Sequence, residues 1–233
     1  MNFPYLSNAT IDNEAEGLRF QALQNRARDV PVDLESIVYD YLCEKDQLIV
    51  DDECDLPDED GDEVLGKTMV RAGRILINGC LKRSGDLGRY RFTLAHEVGH
   101  WQLHRPLILA AVNQPGLFPE TSRIDVITTL NRSIVGANPP RHEIQANRFA
   151  ATLLIDREAL GREFAARFAA GGIAKLLTPA RSRSLRERGR LVAAHVIGPL
   201  PSLASAFSVS LEAMAIALES RGYLQDAPTL FSQ

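Results

Sequence analysis

The chain has 233 residues, 45% of them hydrophobic and 24% charged, with a formal net charge of −4. That profile describes an ordinary soluble globular protein of one large domain or two small ones. No apolar run approaches the ~20 residues of a membrane span, the N-terminus lacks the basic-then-apolar pattern of a signal peptide, and the three cysteines, without a CxxC pair, exclude a disulfide scaffold and point to a reducing cytoplasm.

Residues 12–28 read as a helix, with Ala15, Leu18, Ala22, Leu23 and Ala27 at three-to-four spacing and Asp12 as its N-cap. Pro31 ends it and opens a short second helix with Leu34, Ile37, Val38 and Tyr41 on its apolar face. Residues 48–50 are a strand candidate. Residues 51–63 hold nine of the 30 acidic residues and no Lys or Arg; without them the net charge becomes +5. Pro57 and Gly61 break this run, which reads as a solvated loop. It does not match a calcium loop, because Gly61 sits at the wrong offset. Residues 69–78 alternate like strands, with Gly73 at a turn, and residues 84–89 are a loop.

A helix is predicted from Arg91 to His104, stopped by Pro106. Residues 106–140 read as a long irregular connection with one short helix near 124–130. A strong helix follows over 141–155, with Ile144, Ala146, Phe149, Ala150, Leu153 and Leu154 as its buried stripe. Another spans 157–170 and ends at Gly171 and Gly172. Arg181, Arg183, Arg186, Arg188 and Arg190 read as a solvated face, and His195 as a packed core histidine. Residues 200–224 form two helices joined near 208–210. The second brings only Arg221 as a cation, whereas a DNA-recognition helix normally carries several donors to phosphates and bases. A packed helix pair is therefore expected, and direct nucleic-acid binding is not.

The chemistry concentrates in His96-Glu97-Val98-Gly99-His100, an HExxH motif. Residues i and i+4 share one helix face, so both imidazoles can reach one ion. Glu97 points about 100° away and can approach a metal-bound water without ligating. Gly99 leaves room for the close approach of another backbone or of a substrate. A catalytic zinc needs three protein ligands and an open fourth position. His104 lies about 12 Å along the helix from His96 and is too far to share the ion. It is expected as a substrate contact or a helix-end residue. A better third ligand is Glu143 on the next strong helix, with Asn147 four residues on to accept a hydrogen bond from a zinc histidine. His142 is adjacent to Glu143 but turned about 100° away, and no role is assigned to it. No oxyanion partner stands out; His104, Tyr90 and Tyr39 are the candidates.

The HExxH…ExxxN pairing has the form of glutamate-zincins such as thermolysin-like peptidases. Residues 91–104 resemble the zinc helix of the ImmA/IrrE family of bacterial metallopeptidases, and residues 143–154 its second helix. Residues 31–37, 75–78 and 203–214 resemble the family's upstream segment, edge strand and tail. The resemblance implies an α+β zincin-like domain over residues 1–170, mostly helical with a small three-stranded sheet. An Arg-rich connecting segment (171–198) and a helix-turn-helix-like C-terminal pair (199–233) follow. It implies a cytoplasmic zinc endopeptidase that cuts a partner transcriptional repressor to derepress stress-response or mobile-element genes. Glu97 would be catalytic, His96, His100 and Glu143 the metal ligands, and Asn147 their outer partner. The strand carrying Ile75 and Ile77 would pair with the substrate backbone. The donors would also accept manganese or iron. The chain departs from the family pattern at Ile155-Asp156, where Met-Pro is usual, and at Ala217-Leu218, where Arg-Leu is common. Two rivals are a DNA-binding regulator with a vestigial metal site and an interaction module with a closed, structural zinc.

Overall fold

The computed structural model describes residues 3–59, 61–113, 125–130, 139–168 and 184–224. The chain divides into two compact units, Met1–Ala27 with Asp33–Leu154, and Arg28–Val32 with Ile155–Gln233. The first contains helices α1 (Asn8–Leu23), α2 (Cys43–Asp46), α3 (Cys80–Arg83), α4 (Leu87–Gly99), α5 (Arg105–Asn113) and α6 (Arg141–Leu154). Its strands are β1 (Ile49–Cys54), β2 (Val64–Met69), β3 (Arg74–Asn78) and β4 (Val126–Leu130). The architecture is α+β.

Helix α1 begins four residues earlier than expected, because Ser7 rather than Asp12 caps it by accepting from the Thr10 N–H. Asp12 instead accepts a bidentate pair from Arg148, at 2.9 and 2.6 Å, and a 2.9 Å bond from the Thr152 hydroxyl. The buried Arg19 donates to the carbonyls of Thr152 and Leu153 at 2.6 and 3.2 Å. The last turn of α6 would otherwise leave those acceptors without partners. Polar bonds thus fasten α1 to α6 beside the apolar contacts of Ile11, Ala15 and Leu18.

The sheet has four strands, not three, in the order β1-β3-β2-β4; β1 and β3 run parallel and the other pairs antiparallel. Gly73, at φ +67°, makes the β2–β3 turn. Two expectations are corrected here. The strand of Ile75 and Ile77 is not an edge: β3 lies between β1 and β2, and both isoleucines are fully buried. Its outer neighbour β1 carries Asp51, Asp52 and Glu53, acids that a half-exposed edge strand tolerates even though they read as loop. The second correction is β4, expected as a helix. Val126, Ile127, Thr128 and Thr129 are consecutive β-branched residues, which favour extended backbone. Among the described residues β4 pairs only with β2, so its outer edge is unpaired.

Asp86 caps α4 by accepting from the Arg89 N–H. The helix does not stop at Pro106. A π-wound turn, His100–His104, carries it into α5, with the Arg105 N–H reaching back to the His100 carbonyl. Pro106 follows directly on the π-wound turn, the kind of local widening at which helices accommodate an interruption of the regular hydrogen-bond ladder. At Gly99 an added Cβ would lie 3.2 Å from both Cα and O of Ala146. The close neighbour of that glycine is therefore the backbone of α6, which crosses α4 there. Helix α6 turns Gln145, Ala146, Phe149, Ala150 and Leu153 inward and leaves Ile144, expected inside, 53% exposed.

The second unit holds α7 (Arg157–Arg167), α8 (Leu185–Ala194), α9 (Leu203–Ala206) and α10 (Leu211–Ser220). Asp156 caps α7, and Ser184 and Glu187 form a capping box on α8. Gly189 lets α8 approach α10, since a Cβ there would stand 3.0 Å from Cβ of Ala215. Arg186 bonds Glu212 and Glu219 at 2.6 and 2.9 Å, and Arg190 bonds Glu212 at 2.5 Å. These cations serve helix packing rather than a free face. Arg181 and Arg183 lie outside the described residues. His195 is only partly buried, its ring stacked on Phe168 at 6.1 Å.

Candidate active site

The inward face of α4 buries Leu94, Ala95 and Val98, which fixes the helix under the sheet and turns His96 and His100 toward α6. Their Nε2 atoms stand 2.9 Å apart. Glu143, in the first turn of α6, presents Oε2 at 3.2 Å from Nε2 of His96 and Oε1 at 3.2 Å from Nε2 of His100. One ligand atom from each of the three residues lies within 4.8 Å of the other two. Two imidazole nitrogens and a carboxylate suit a divalent metal. Ligand atoms of a tetrahedral zinc, at about 2.0–2.2 Å from the ion, stand about 3.3–3.5 Å apart, close to the separations here. The donor set therefore fits a metal as it stands. Its open side is at Glu143, whose side chain is 18% exposed while His96 and His100 are at 3% and 0%.

Nδ1 of His96 donates to Oδ1 of Asn147 at 2.9 Å, one turn along α6 from Glu143. That bond leaves the Nε2 lone pair of His96 facing the cluster. Burial disfavours a charged His96, but hydrogen bonding and the charge of Glu143 prevail and hold its pKa above the usual value. Burial also opposes ionisation of Glu143, yet His100 and His96 hold its carboxyl well below the usual carboxylate range. His100 is pushed down to about 3 by burial. Glu143 is thus ionised and His100 a neutral donor, the forms a metal requires, while His96, whose charged form Glu143 favours, would release its Nε2 proton on binding one.

Glu97 is fully buried, one residue and about 100° further round α4. The Thr68 hydroxyl of β2 donates to its Oε2 at 2.6 Å, while Oε1 has no hydrogen-bond partner among the described residues. Burial pushes its carboxyl up to about 7, against the pull of His96 and of the Thr129 and Thr68 hydroxyls. A carboxyl titrating near neutrality is suited to exchange protons. Gly66 makes room for it. A Cβ at that position would lie 2.6 Å from Oε1 and 2.9 Å from Cγ of Glu97. Neither Gly66 nor the two threonines could be read as site residues, because they approach Glu97 only through strand pairing.

The other candidates lie elsewhere. His104 is fully buried with both ring nitrogens engaged, so it has no surface for a substrate. Ile75 and Ile77 are inside the core. The hydroxyls of Tyr39 and Tyr90 both donate to Asp52, which Lys82 also approaches at 2.8 Å; neither is free for an oxyanion. His142, assigned no role, has its Nε2 3.4 Å from Oε1 of Glu143 and a buried Nδ1 with no hydrogen-bond partner among the described residues.

A family model described as the IrrE N-terminal-like domain, Peptidase_M78, matches residues 46–219. The chain belongs to this family. The Peptidase_M78 match takes in His96, Glu97, His100, Glu143 and Asn147, as well as Gly66, Thr68 and Thr129. Membership makes the chain metallopeptidase-like, with a protein substrate and a metal as its cofactor. No curated protein and no solved structure matches it. Among the described residues no helix is long and apolar enough to cross a membrane.

Proposed function

We propose that this Peptidase_M78 member is a cytoplasmic zinc endopeptidase that cuts a DNA-binding repressor. The observation that carries the chemistry is the convergence of His96, His100 and Glu143, with the buried Glu97 beside them. When bound, a divalent metal lowers the pKa of water and polarises a peptide carbonyl. His96, His100 and Glu143 would hold it, and Asn147 keeps His96 in the ligating tautomer. Glu97, close enough to His96 and Glu143 to feel their charges, takes a proton from the attacking water. The water oxygen bonds to the carbonyl carbon, the C–N bond breaks, and Glu97 passes the proton to the leaving amine. The outer edge of β4, unpaired among the described residues, takes the substrate backbone by strand addition. Ile127 and Thr129 of β4 point inward, the latter beside Glu97.

A repressor as substrate, and derepression of stress-response or mobile-element genes as outcome, follow from the ImmA/IrrE resemblance. Arg186 and Arg190 are engaged by Glu212 and Glu219, which weighs against direct DNA binding by α8. The test combines metal analysis with incubation against a panel of repressors from the same genome. Wild type should cut one of them, and a chelator should stop it. Glu97→Gln should keep the metal and leave the partner whole. Wild type that carries stoichiometric metal and spares every repressor overturns the substrate assignment. Manganese or iron in place of zinc corrects only the metal.

A further inference from the structure

Four residues past the zinc-type motif, His104 repeats the spacing of His96 and His100, yet it does not reach the donor cluster. It is fully buried, and its Nδ1 stands 2.9 Å from Nδ1 of His100. Its Nε2 stands 2.9 Å from Oε1 of Gln145. The Gln145 amide donates through Nε2 to the Pro4 carbonyl at 3.1 Å. We propose that His104 and Gln145 are positioning residues, a chain of one-way hydrogen bonds from the Pro4 carbonyl that holds the Nε2 lone pair of His100 toward the metal.

The direction follows from donor and acceptor capacity alone. A backbone carbonyl only accepts. The Gln145 NH₂ must therefore face Pro4, which leaves its Oε1, also an acceptor only, facing His104. Nε2 of His104 then carries the hydrogen. A neutral imidazole has one N–H, so Nδ1 of His104 is the acceptor. The facing Nδ1 of His100 must be the donor, and the His100 lone pair is left on Nε2, 3.2 Å from Oε1 of Glu143. Within the relay, reversing any link would oppose two acceptors or two donors with no water contact for His100 or His104; at its end the His100 lone pair faces the acceptor Oε1 of Glu143, an opposition that a cation held between them relieves.

Packing holds the chain in place. The Phe3 ring lies 4.8 Å from that of His104 and is buried with Val70, Ile108 and Ile127. Arg141 donates to the Phe3 carbonyl at 3.2 Å, which sets the neighbouring Pro4 carbonyl over Gln145. The first metal histidine is oriented by one amide, Asn147; the second is oriented through an imidazole and an amide in series.

This inference rests on the metal reading of the His96, His100 and Glu143 cluster, so its test has an arm that needs no metal. Ring ¹⁵N NMR of the metal-free full chain should show His104 protonated on Nε2 and His100 on Nδ1. The second arm is zinc affinity, measured by competition with a chromogenic chelator. Gln145→Leu and His104→Phe should weaken zinc binding about 10–100-fold, the usual effect of losing an outer partner. Gln145→Glu, whose protonated carboxyl can donate to the Pro4 carbonyl and accept from His104, should recover most of the loss at a pH where that carboxyl keeps its proton. His104 protonated on Nδ1, or zinc binding by Gln145→Leu equal to wild type, overturns the relay. If wild type binds no zinc, the metal reading fails, and the NMR arm still decides the relay. If His104→Phe does not fold, the two Gln145 variants and the wild-type spectrum decide it.

Discussion

Replacing Glu97 by Gln in the metal-free protein should change stability in a way that depends on pH. The carboxyl is fully buried, with one oxygen bonded by Thr68 and the other without a partner among the described residues, and burial pushes it up from 4.5 to about 7. Between pH 4.5 and 7 the unfolded chain has lost this proton while the folded chain still holds it. The folded state binds more protons there, so its stability falls as pH rises through that window and levels off above it. The total loss is about 3 kcal/mol. Gln mimics the protonated carboxyl, with its NH₂ in the place of the unpartnered oxygen, and does not titrate. Groups that do not face Glu97 titrate alike in both proteins and cancel in the difference; His96 and Glu143, whose charges couple to Glu97, trim it. Guanidinium unfolding of both chelated proteins should give nearly equal stabilities at pH 4.5. At pH 8 the variant should be more stable by about 3 kcal/mol. A difference that stays constant from pH 4.5 to 8 refutes the buried, proton-holding carboxyl.

Gly66→Ala drives a Cβ into the Glu97 carboxylate. It should lower kcat by about 10²–10⁴-fold, the contribution of a general base, with metal content unchanged. Parallel kinetics and metal analysis check it, and loss of the metal would contradict it. Asn147→Leu leaves the Nδ1–H of His96 without its acceptor. Its zinc affinity should fall about 10–100-fold in a chelator competition. In the second unit Ser184→Ala removes the capping box of α8. It should cost about 1 kcal/mol in denaturant unfolding without altering zinc affinity.

Much of the site was legible because it is local. Four-residue spacing on a helix puts His96 with His100 and Glu143 with Asn147, and only the crossing of α4 and α6 at Gly99 remained to be supplied. Features that rest on partners far along the chain were not legible. The room that Gly66 makes for Glu97 depends on the order of the strands, which alternation cannot reveal. Ile75 and Ile77 alternate as an edge strand would, but the acidic β1 pairs outside them. Pro106 reads as a stop because the π-wound turn that accommodates it is set by packing rather than propensity. His142 was set aside on helix geometry, yet a long ring 100° away still reaches the same carboxylate. The role of His104 needed Pro4, a residue 100 positions earlier in the chain.

Anomalous diffraction from crystals of the zinc-loaded protein tests the metal centre most directly. One peak should lie about 2.0–2.2 Å from Nε2 of His96, Nε2 of His100 and a carboxylate oxygen of Glu143, with water in the fourth position and Glu97 within hydrogen-bond reach of it. A peak at other residues, or a fourth side chain closing the coordination, would contradict a catalytic metal at this site.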